Sequence, residues 1–436
     1  MHPLTPMARP KVLYVVHNHP EIRPGGVEVY SQELFEAMRG GGEFAACLLA
    51  KAGPPFSAAQ RPHEGTMISM VHPADDRQYL FHNEGGDYDH FLGAACAKEY
   101  LVTYLDRFLT AVRPDVVHFH HTVFLGYDAL RQVRNSLPAA PIVCTLNDYL
   151  PICHRNGQLL RTNDHERCHE ASPRRCHECF PGIAPREFFL RERFIKAQLE
   201  LVDRFVAPSE FLRERYAAWG LPREKIICEN YGRAPVSARA GAGSPDGSRR
   251  RFGFFGQLSL FKGVHVLLDA MKILERLQPG VAHLWLHGNN LDLQPPDFQA
   301  SLGARLAETA PTVTNAGPFQ RVELRSLMEN IDWVVVPSLW WENAPLVIQE
   351  AFMCGRPVIC SDIGGMAEAV TPGRNGLHFR AGDAMSLAET MRRAATTPGL
   401  WAELRRHLPV SYPVAEHAEK LAGLYRQLIA QRRALS

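Results

Sequence analysis

"GFFGQLSLFKGVHVLLDAM", Gly253 to Met271, reads as a strand, a turn containing Gly256, and then Lys262-Gly263 opening an amphipathic helix. A helix N-terminus offers free N–H groups and a partial positive charge, and Lys262 beside it adds a full one. That combination suits an anion such as a diphosphate. The spacing is not the Walker pattern, which needs Ser or Thr after the lysine. The plain alternative is a strand–helix turn with a surface lysine.

The same alternation fills the chain outward from this unit. "KVLYVV", "AACLLA", "DVVHFH", "PIVCTL" and "RFVAPS" come before it; "HLWLHG", "DWVVVPS" and "PVICSD" follow. They are nearly continuous in apolar residues, as strands covered on both faces are. Amphipathic stretches such as "VEVYSQELFEAMR", "KEYLVTYLDRFLTAV" and "SEFLRERYAAW" lie between them, which predicts parallel α/β sheets. One stretch, "RAPVSARAGAGSPDGSRRR" (Arg233 to Arg251), has no apolar periodicity and reads as an interdomain linker. The expected fold is therefore α/β, with two doubly wound Rossmann-like domains facing across a cleft. The boundaries expected are an N-terminal domain at 1–235, a linker at 236–250, a C-terminal domain at 251–410, and a helix at 411–436 returning to the N-terminal domain. Ligands in such sheets bind beyond the carboxyl ends of the strands.

With 46% hydrophobic and 22% charged residues, the chain has the composition of a soluble globular protein. Its formal charge of +2 gives no sign of a dedicated nucleic-acid binder, in which a concentrated basic face is expected. No apolar run approaches the ~20 residues of a membrane-spanning helix, and Val12 to Val16 reads as a buried strand, not a signal-peptide core. Of ten cysteines, Cys47, Cys144 and Cys360 sit in strand-like runs and four crowd one insertion, unlike a disulfide scaffold. The expected location is cytoplasmic, with peripheral contact at the inner face of the membrane left open.

"WENAPLVIQE" (Trp341 to Glu350) carries two carboxylates. Pro345 suits the first position of a helix, Asn343 lies near its cap, and Cys354-Gly355 ends it. Glu342 then lies in the loop at a strand's carboxyl end, and Glu350 about one and a half turns inside the helix. A half-buried carboxylate is a bidentate acceptor for paired sugar hydroxyls; ordinary surface charge is the alternative. Gly364-Gly365, downstream, permits close backbone approach.

The order "GQLSLFKG … PSLWWENAPLVIQEAFMCGRPVICSDIGGMAEAV … NGLHF" resembles the C-terminal half of family 4 retaining glycosyltransferases, which have the two-domain GT-B fold. "VVHNHPEIRPGGVEVYSQEL" and "RPDVVHFHH" extend the resemblance into the N-terminal half. It implies a sugar-nucleotide donor, a UDP- or GDP-sugar first, and a glycan or lipid-linked acceptor. It also implies a reaction without a catalytic metal, in which the leaving phosphate takes the acceptor's proton. By position, Glu350 would bind the ribose hydroxyls and Glu342 would lie near the transferred sugar. Lys262 would meet the diphosphate, helped by backbone around Asn343, Ala344 and Pro345. Gly256 and Gln257 would approach the donor, and the base would lie near "NAGPFQ", which contains Phe319. Two departures stand out. Relatives often have Arg where this chain has Gln257, and His where it has Asn147.

In the first half, Gly25-Gly26 opens the first helix at a strand end and would admit a phosphate or sugar. "DVVHFHH" places His118 and His120 on one face, read either as a metal pair or as buried hydrogen-bonding histidines. His120 joins Glu342, Lys262 and Asn147 as a candidate catalytic residue, and Asp148 as an aid to acceptor or sugar binding. The insertion at about 151–182 contains Cys176-x-x-Cys179, a metal-ligand knuckle that Cys153 and Cys168 complete as a closed structural zinc site; free or redox-active thiols are the alternatives. The basic helix "PREFFLRERFIKAQLELVDRF" either touches an anionic membrane or packs on its own domain. Three functions compete: a retaining glycosyltransferase, a sugar-nucleotide epimerase or phosphorylase on the same fold, and a zinc-braced binding module that has lost activity.

Overall fold

Each apolar run named above becomes a strand in the computed structural model, which describes residues 9–23, 25–51, 68–82, 88–96, 98–234 and 248–435. Most of the expected linker, 236–247, lies outside the described residues. Two units divide the chain: Met1–Ala234 with Tyr412–Ser436, and Pro235–Ser411.

The first unit is built on β1 (Lys11–Val16), β2 (Ala45–Lys51), β3 (Ile68–His72), β4 (Asp75–Phe81), the short pair β5 (Tyr88–Asp89) and β6 (Ala94–Ala95), β7 (Val116–Phe119), β8 (Ile142–Thr145), β9 (Arg204–Ala207) and β10 (Ile226–Cys228). Its main sheet has the order β10-β9-β8-β7-β1-β2-β4-β3, parallel except for β3. The second unit contains β11 (Arg251–Gln257), β12 (His283–Asn289), β13 (Val313–Gly317), β14 (Trp333–Val336), β15 (Val358–Ser361) and β16 (Gly376–Phe379). These form a wholly parallel sheet of order β13-β12-β11-β14-β15-β16. Each sheet reverses its strand order once. In the first, β2 and β7 flank β1; in the second, β12 and β14 flank β11. Such switch points open a crevice at the carboxyl ends of the strands.

In the two main sheets, the strands absent from the sequence reading, β3, β4, β10 and β13, lie at or next to the edges. There β3, β4 and β13 expose residues along their length, because an edge strand needs no continuous apolar cover. The short separate pair β5 and β6 was not read either. The stretch read as one amphipathic helix at 98–112 begins with a π-helical segment, Tyr100–Leu105, and continues as an α-helix over Asp106–Val112, a change of winding that apolar periodicity does not report.

The C-terminal helix, Val414–Leu435, packs on the helix Gly26–Gly41 within the first unit. The chain enters it through a short ladder, with Arg233 N donating to Tyr412 O (2.9 Å) and Val414 N donating to Arg233 O (2.9 Å). Tyr425 Oη lies 2.6 Å from His118 Nδ1, and Tyr30 Oη lies 2.7 Å from His417 Nε2. His118 Nε2 reaches Thr145 Oγ1 at 2.8 Å, so both ring nitrogens are used inside the protein. His120 stacks on His118 (4.4 Å) and meets Tyr14 and Tyr30. Both histidines are fully buried. Of the two readings offered for this pair, hydrogen-bonded core residue describes His118, while His120 is a packed ring. No surface presents His120 to a ligand in this arrangement.

Tyr425→Phe removes the partner of a buried imidazole and should cost about 1–3 kcal/mol of stability, read from the urea midpoint. Burial, with His417 adding to it, pushes the His120 pKa down to about 3 from an ordinary 6.5. The unfolded chain therefore binds more protons between these values, and stability falls as pH drops through that window. The urea midpoint should decline from pH 6.5 toward 3, and less steeply in His120→Leu.

Candidate functional site

At the switch point of the second sheet, the turn after β11 docks on the loop after β14. Gly263, just before the helix Val264–Leu277, has φ 68°, and a Cβ there would lie 1.9 Å from Pro337 O. Only glycine lets the helix start so close to the end of β14. Leu339 N donates to Phe261 O (2.9 Å). Lys262 then places Nζ 2.6 Å from Glu342 Oε1, and the same oxygen accepts from Ser338 Oγ (2.7 Å) and Trp340 Nε1 (2.9 Å). The Glu342 side chain is 4% exposed and that of Lys262 29%. From below, Gly365 N donates to Glu342 O at 2.7 Å. A Cβ at Gly365 would meet Asn343 O at 1.8 Å, so this glycine serves backbone packing that fixes the glutamate's loop.

Glu350 lies in the helix Leu346–Met353, whose cap is Pro345 instead of its first residue. Arg321 Nη1 is 3.1 Å from Glu350 Oε1. Arg321 follows β13, so the pair spans the carboxyl ends of the strands between β13 and β14. Nothing in the sequence pattern singled it out, because only the fold brings residues 321 and 350 together. Asn343 Oδ1 accepts from Ala344 N (2.7 Å), engaging the backbone N–H expected at the diphosphate. Phe255 and His287 stack at 4.8 Å, and Phe319 meets them edge-on at 5.7 and 6.2 Å. This aromatic group lies at the ends of β11 and β12. Gln257 is exposed beside Gly256.

In the first unit, the ends of β1, β7 and β8 bring four titratable side chains together. His17 Nε2 is 3.0 Å from Glu28 Oε1, His121 Nε2 is 2.5 Å from Asp148 Oδ2, and the two imidazoles lie 4.4 Å apart. Burial would raise the carboxyl pKa values of Glu28 and Asp148, but their histidine partners outweigh it and hold both low. His17 is lowered by burial and by His121, whereas Asp148 overcomes burial and raises His121. His17, Glu28 and His121 were not among the candidate site residues, since no local pattern singled them out and only the fold sets His17 on Glu28 and His121 on Asp148. Glu28 also alters the Gly25-Gly26 expectation: its carboxylate folds back to within 2.5 Å of where a Cβ on Gly25 would sit. The helix start expected to seat a phosphate is covered by an anion. Asn147 departs from expectation too. Its Nδ2 donates to His120 O and its Oδ1 accepts from Tyr231 Oη, both at 2.5 Å, so it ties strand ends together and does not present its amide to a sugar.

The zinc expectation is not supported. Cys153, Cys168, Cys176 and Cys179 line one cavity of about 20 Å³, yet among the described residues no group of three or more His, Cys, Asp or Glu is placed to hold a metal ion. Cys168 Sγ is turned to Glu170 O at 3.3 Å. Arg155, Arg161 and Arg175 share the wall, adding positive charge where a dication would sit. The helix Pro185–Leu199 packs through Phe188, Arg191 and Ile195 on its own unit, while Phe189 and Leu190 are more than half exposed. Among the described residues, no helix is long and apolar enough to cross a membrane.

Residues 24–228 match the family model described as Glycosyltransferase Family 4, and residues 249–397 match that described as Glycosyl transferases group 1. A D-inositol 3-phosphate glycosyltransferase of Stackebrandtia nassauensis is 32% identical over 46% of this chain and 46% of its own. A GDP-mannose-dependent alpha-mannosyltransferase of Mycobacterium tuberculosis is 29% identical over 64% of each. The chain thus spans less than two thirds of the length of these curated relatives. Among solved structures, Anabaena HepE in complex with UDP and glucose superimposes with TM-score 0.65 at 17% identity, over 96% of this chain and 100% of that one. Sucrose-phosphate synthase from Thermosynechococcus elongatus gives 0.69 at 18%, over 97% and 100%. The fold is the GT-B type, two Rossmann-like α/β domains with parallel sheets.

Lys262→Ala leaves the Glu342 carboxylate buried without its cation. Lys262 keeps some exposure, so the stability loss should be about 1–3 kcal/mol, below that for breaking a fully buried pair, and visible as a lower urea midpoint. Glu342→Gln with Lys262 intact should lose less.

Proposed function

We propose that this chain, whose two units match the models described as Glycosyltransferase Family 4 and Glycosyl transferases group 1, moves a sugar from a nucleotide-diphosphate donor to a hydroxyl of a glycan or lipid-linked acceptor. The anomeric configuration is retained, and the product belongs to polysaccharide or cell-envelope glycan synthesis. The observation that carries this reading is the pair of carboxylates at the switch point of the second sheet, each held by a cation: Glu342 by Lys262, and Glu350 by Arg321. A UDP- or GDP-sugar is the donor class favoured, since one similar structure contains UDP and one relative is named for GDP-mannose.

In this reading the ribose hydroxyls take up Glu350 as a two-oxygen acceptor, displacing part of its contact with Arg321. Phe319 and the Phe255–His287 stack offer apolar surface for the base. The diphosphate competes with Glu342 for Lys262, whose ammonium stabilises charge growing on the leaving group without a metal ion. The acceptor oxygen attacks the anomeric carbon from the face that the phosphate leaves, and the departing phosphate oxygen takes the acceptor's proton. Position supplies the rest of the rate. The work would take place in the cytoplasm. The exposed Phe189 and Leu190, beside Arg186 and Arg193, give the helix Pro185–Leu199 a face suited to peripheral contact with an anionic membrane.

Calorimetric titration with UDP, GDP and ADP tests this reading. One diphosphate should bind at micromolar strength and weaken by ~10-fold or more, about 1.4 kcal/mol, in Glu350→Ala. Absence of binding by every nucleotide to the folded chain overturns the donor assignment.

A further inference from the structure

The switch point of the N-terminal sheet holds four charged or titratable side chains for which the donor chemistry has no use. His17 follows β1 and His121 follows β7, the two strands between which the order reverses. Glu28 comes from the first turn of the helix Gly26–Gly41, and Asp148 from the loop after β8. Crevices at such points receive ligands in open α/β sheets.

Resting on the glycosyltransferase reading, we propose that this constellation receives the acceptor through uncharged hydroxyl groups, and that Glu28 and Asp148 make it reject an acceptor bearing a phosphate at that point. An ionised carboxylate only accepts hydrogen bonds, so whatever it recognises must donate them, as a sugar or polyol hydroxyl does. Each carboxylate is fixed by an imidazole through one oxygen. Asp148 is also fixed by Leu150 N, which donates to Oδ1 at 2.7 Å. Its side chain remains 26% exposed, and that of His17 19%.

The charge count points the same way. His121 Nδ1 accepts from Val123 N at 3.0 Å, an arrangement that fits the neutral ring with its other nitrogen donating to Asp148, while Asp148 favours the charged form. His17 Nδ1 has no hydrogen-bond partner. Two carboxylates beside two neutral imidazoles carry a charge of −2, and even a protonated His121 leaves −1. Two cations on neighbouring elements make other contacts. The Arg191 guanidinium donates to Phe91 O (2.7 Å), Pro151 O (2.8 Å) and Leu150 O (2.6 Å), bracing the loop that carries Asp148. Lys51, at the end of β2, lies 5.1 Å from the centre of the Phe124 ring. The helix start that would otherwise attract a phosphate has the Glu28 carboxylate over it. A phosphate ester entering here would meet like charge on two sides.

The test compares matched ligands on the full chain: myo-inositol against inositol 3-phosphate, and methyl glucoside and methyl mannoside against glucose and mannose phosphates. Binding is measured by saturation-transfer NMR and calorimetry, with and without saturating nucleotide. At least one neutral member should bind, with its phosphate ester at least ~10-fold weaker. In Glu28→Gln and in Asp148→Asn that discrimination should shrink and neutral affinity should fall by ~10-fold, while nucleotide affinity, which also certifies folding, stays unchanged. Tighter binding of a phosphate ester, no binding of any neutral member, or unchanged selectivity in both variants would overturn the proposal. Loss of nucleotide binding by the parent chain would instead overturn the donor reading, and acceptor-side selectivity would still be readable, because the four residues belong to one unit.

Discussion

A carboxylate almost sealed from solvent has to be met by donors, and Glu342 is met by three on one oxygen. That requirement organises the second unit. Lys262 comes from the turn after β11, Ser338 and Trp340 from the segment after β14, and the glycine at 263 lets the two segments meet. The ion pair lies at the carboxyl ends of β11 and β14, where the proposed donor diphosphate would compete with Glu342 for the lysine. Arg321 and Glu350 repeat this arrangement one step along the strand ends. Because the carboxylates are neutralised in place, neither has to be buried as a bare charge, which would be far more costly.

The first unit solves a related problem differently. Its switch point carries carboxylate–histidine pairs instead of lysine– and arginine–carboxylate pairs, so the carboxylates there are met by imidazoles and not by fixed cations. Beneath them, the same strands carry an aromatic layer in which His118 and His120 are neutral core residues. The C-terminal helix seals that layer by placing Tyr425 on His118 and His417 on Tyr30. Adjacent histidines on one strand end therefore have separate tasks: His118 and His120 pack, while His121 reaches the crevice through Asp148.

Much of the fold was legible because continuous apolar runs and helical periodicity record burial directly. Every central strand was visible that way. Several edge strands were not, since one flank of an edge is open and its residues, as in β13, need not be apolar, although the edge strand β16 is mostly apolar and buried and was legible. Among the candidate site residues, Lys262, Glu342 and Glu350 stood out in the sequence because each belongs to a local pattern: a turn at a helix start, or a glutamate set in a strand–loop–helix. Asn147 and His120 were read as reactive from their place at strand ends, yet the hydrogen bonds and ring contacts that occupy them come from residues such as Tyr231 and Tyr30, distant in sequence. The cysteine spacing was equally local, and spacing cannot say whether thiolates will converge on one point or be turned aside by a neighbouring carbonyl.

By itself the sequence determined the alternation of strands and helices, the two-part division of the chain, and the residues whose chemistry depends on a few neighbours. Those properties follow from local burial and backbone conformation, which a short stretch encodes. Tertiary structure alone decided which charges would be partners: Arg321 with Glu350, His17 with Glu28, His121 with Asp148. A charge's task depends on what lies within a few ångströms of it, and parallel strands joined by long crossovers bring together residues that the chain keeps far apart.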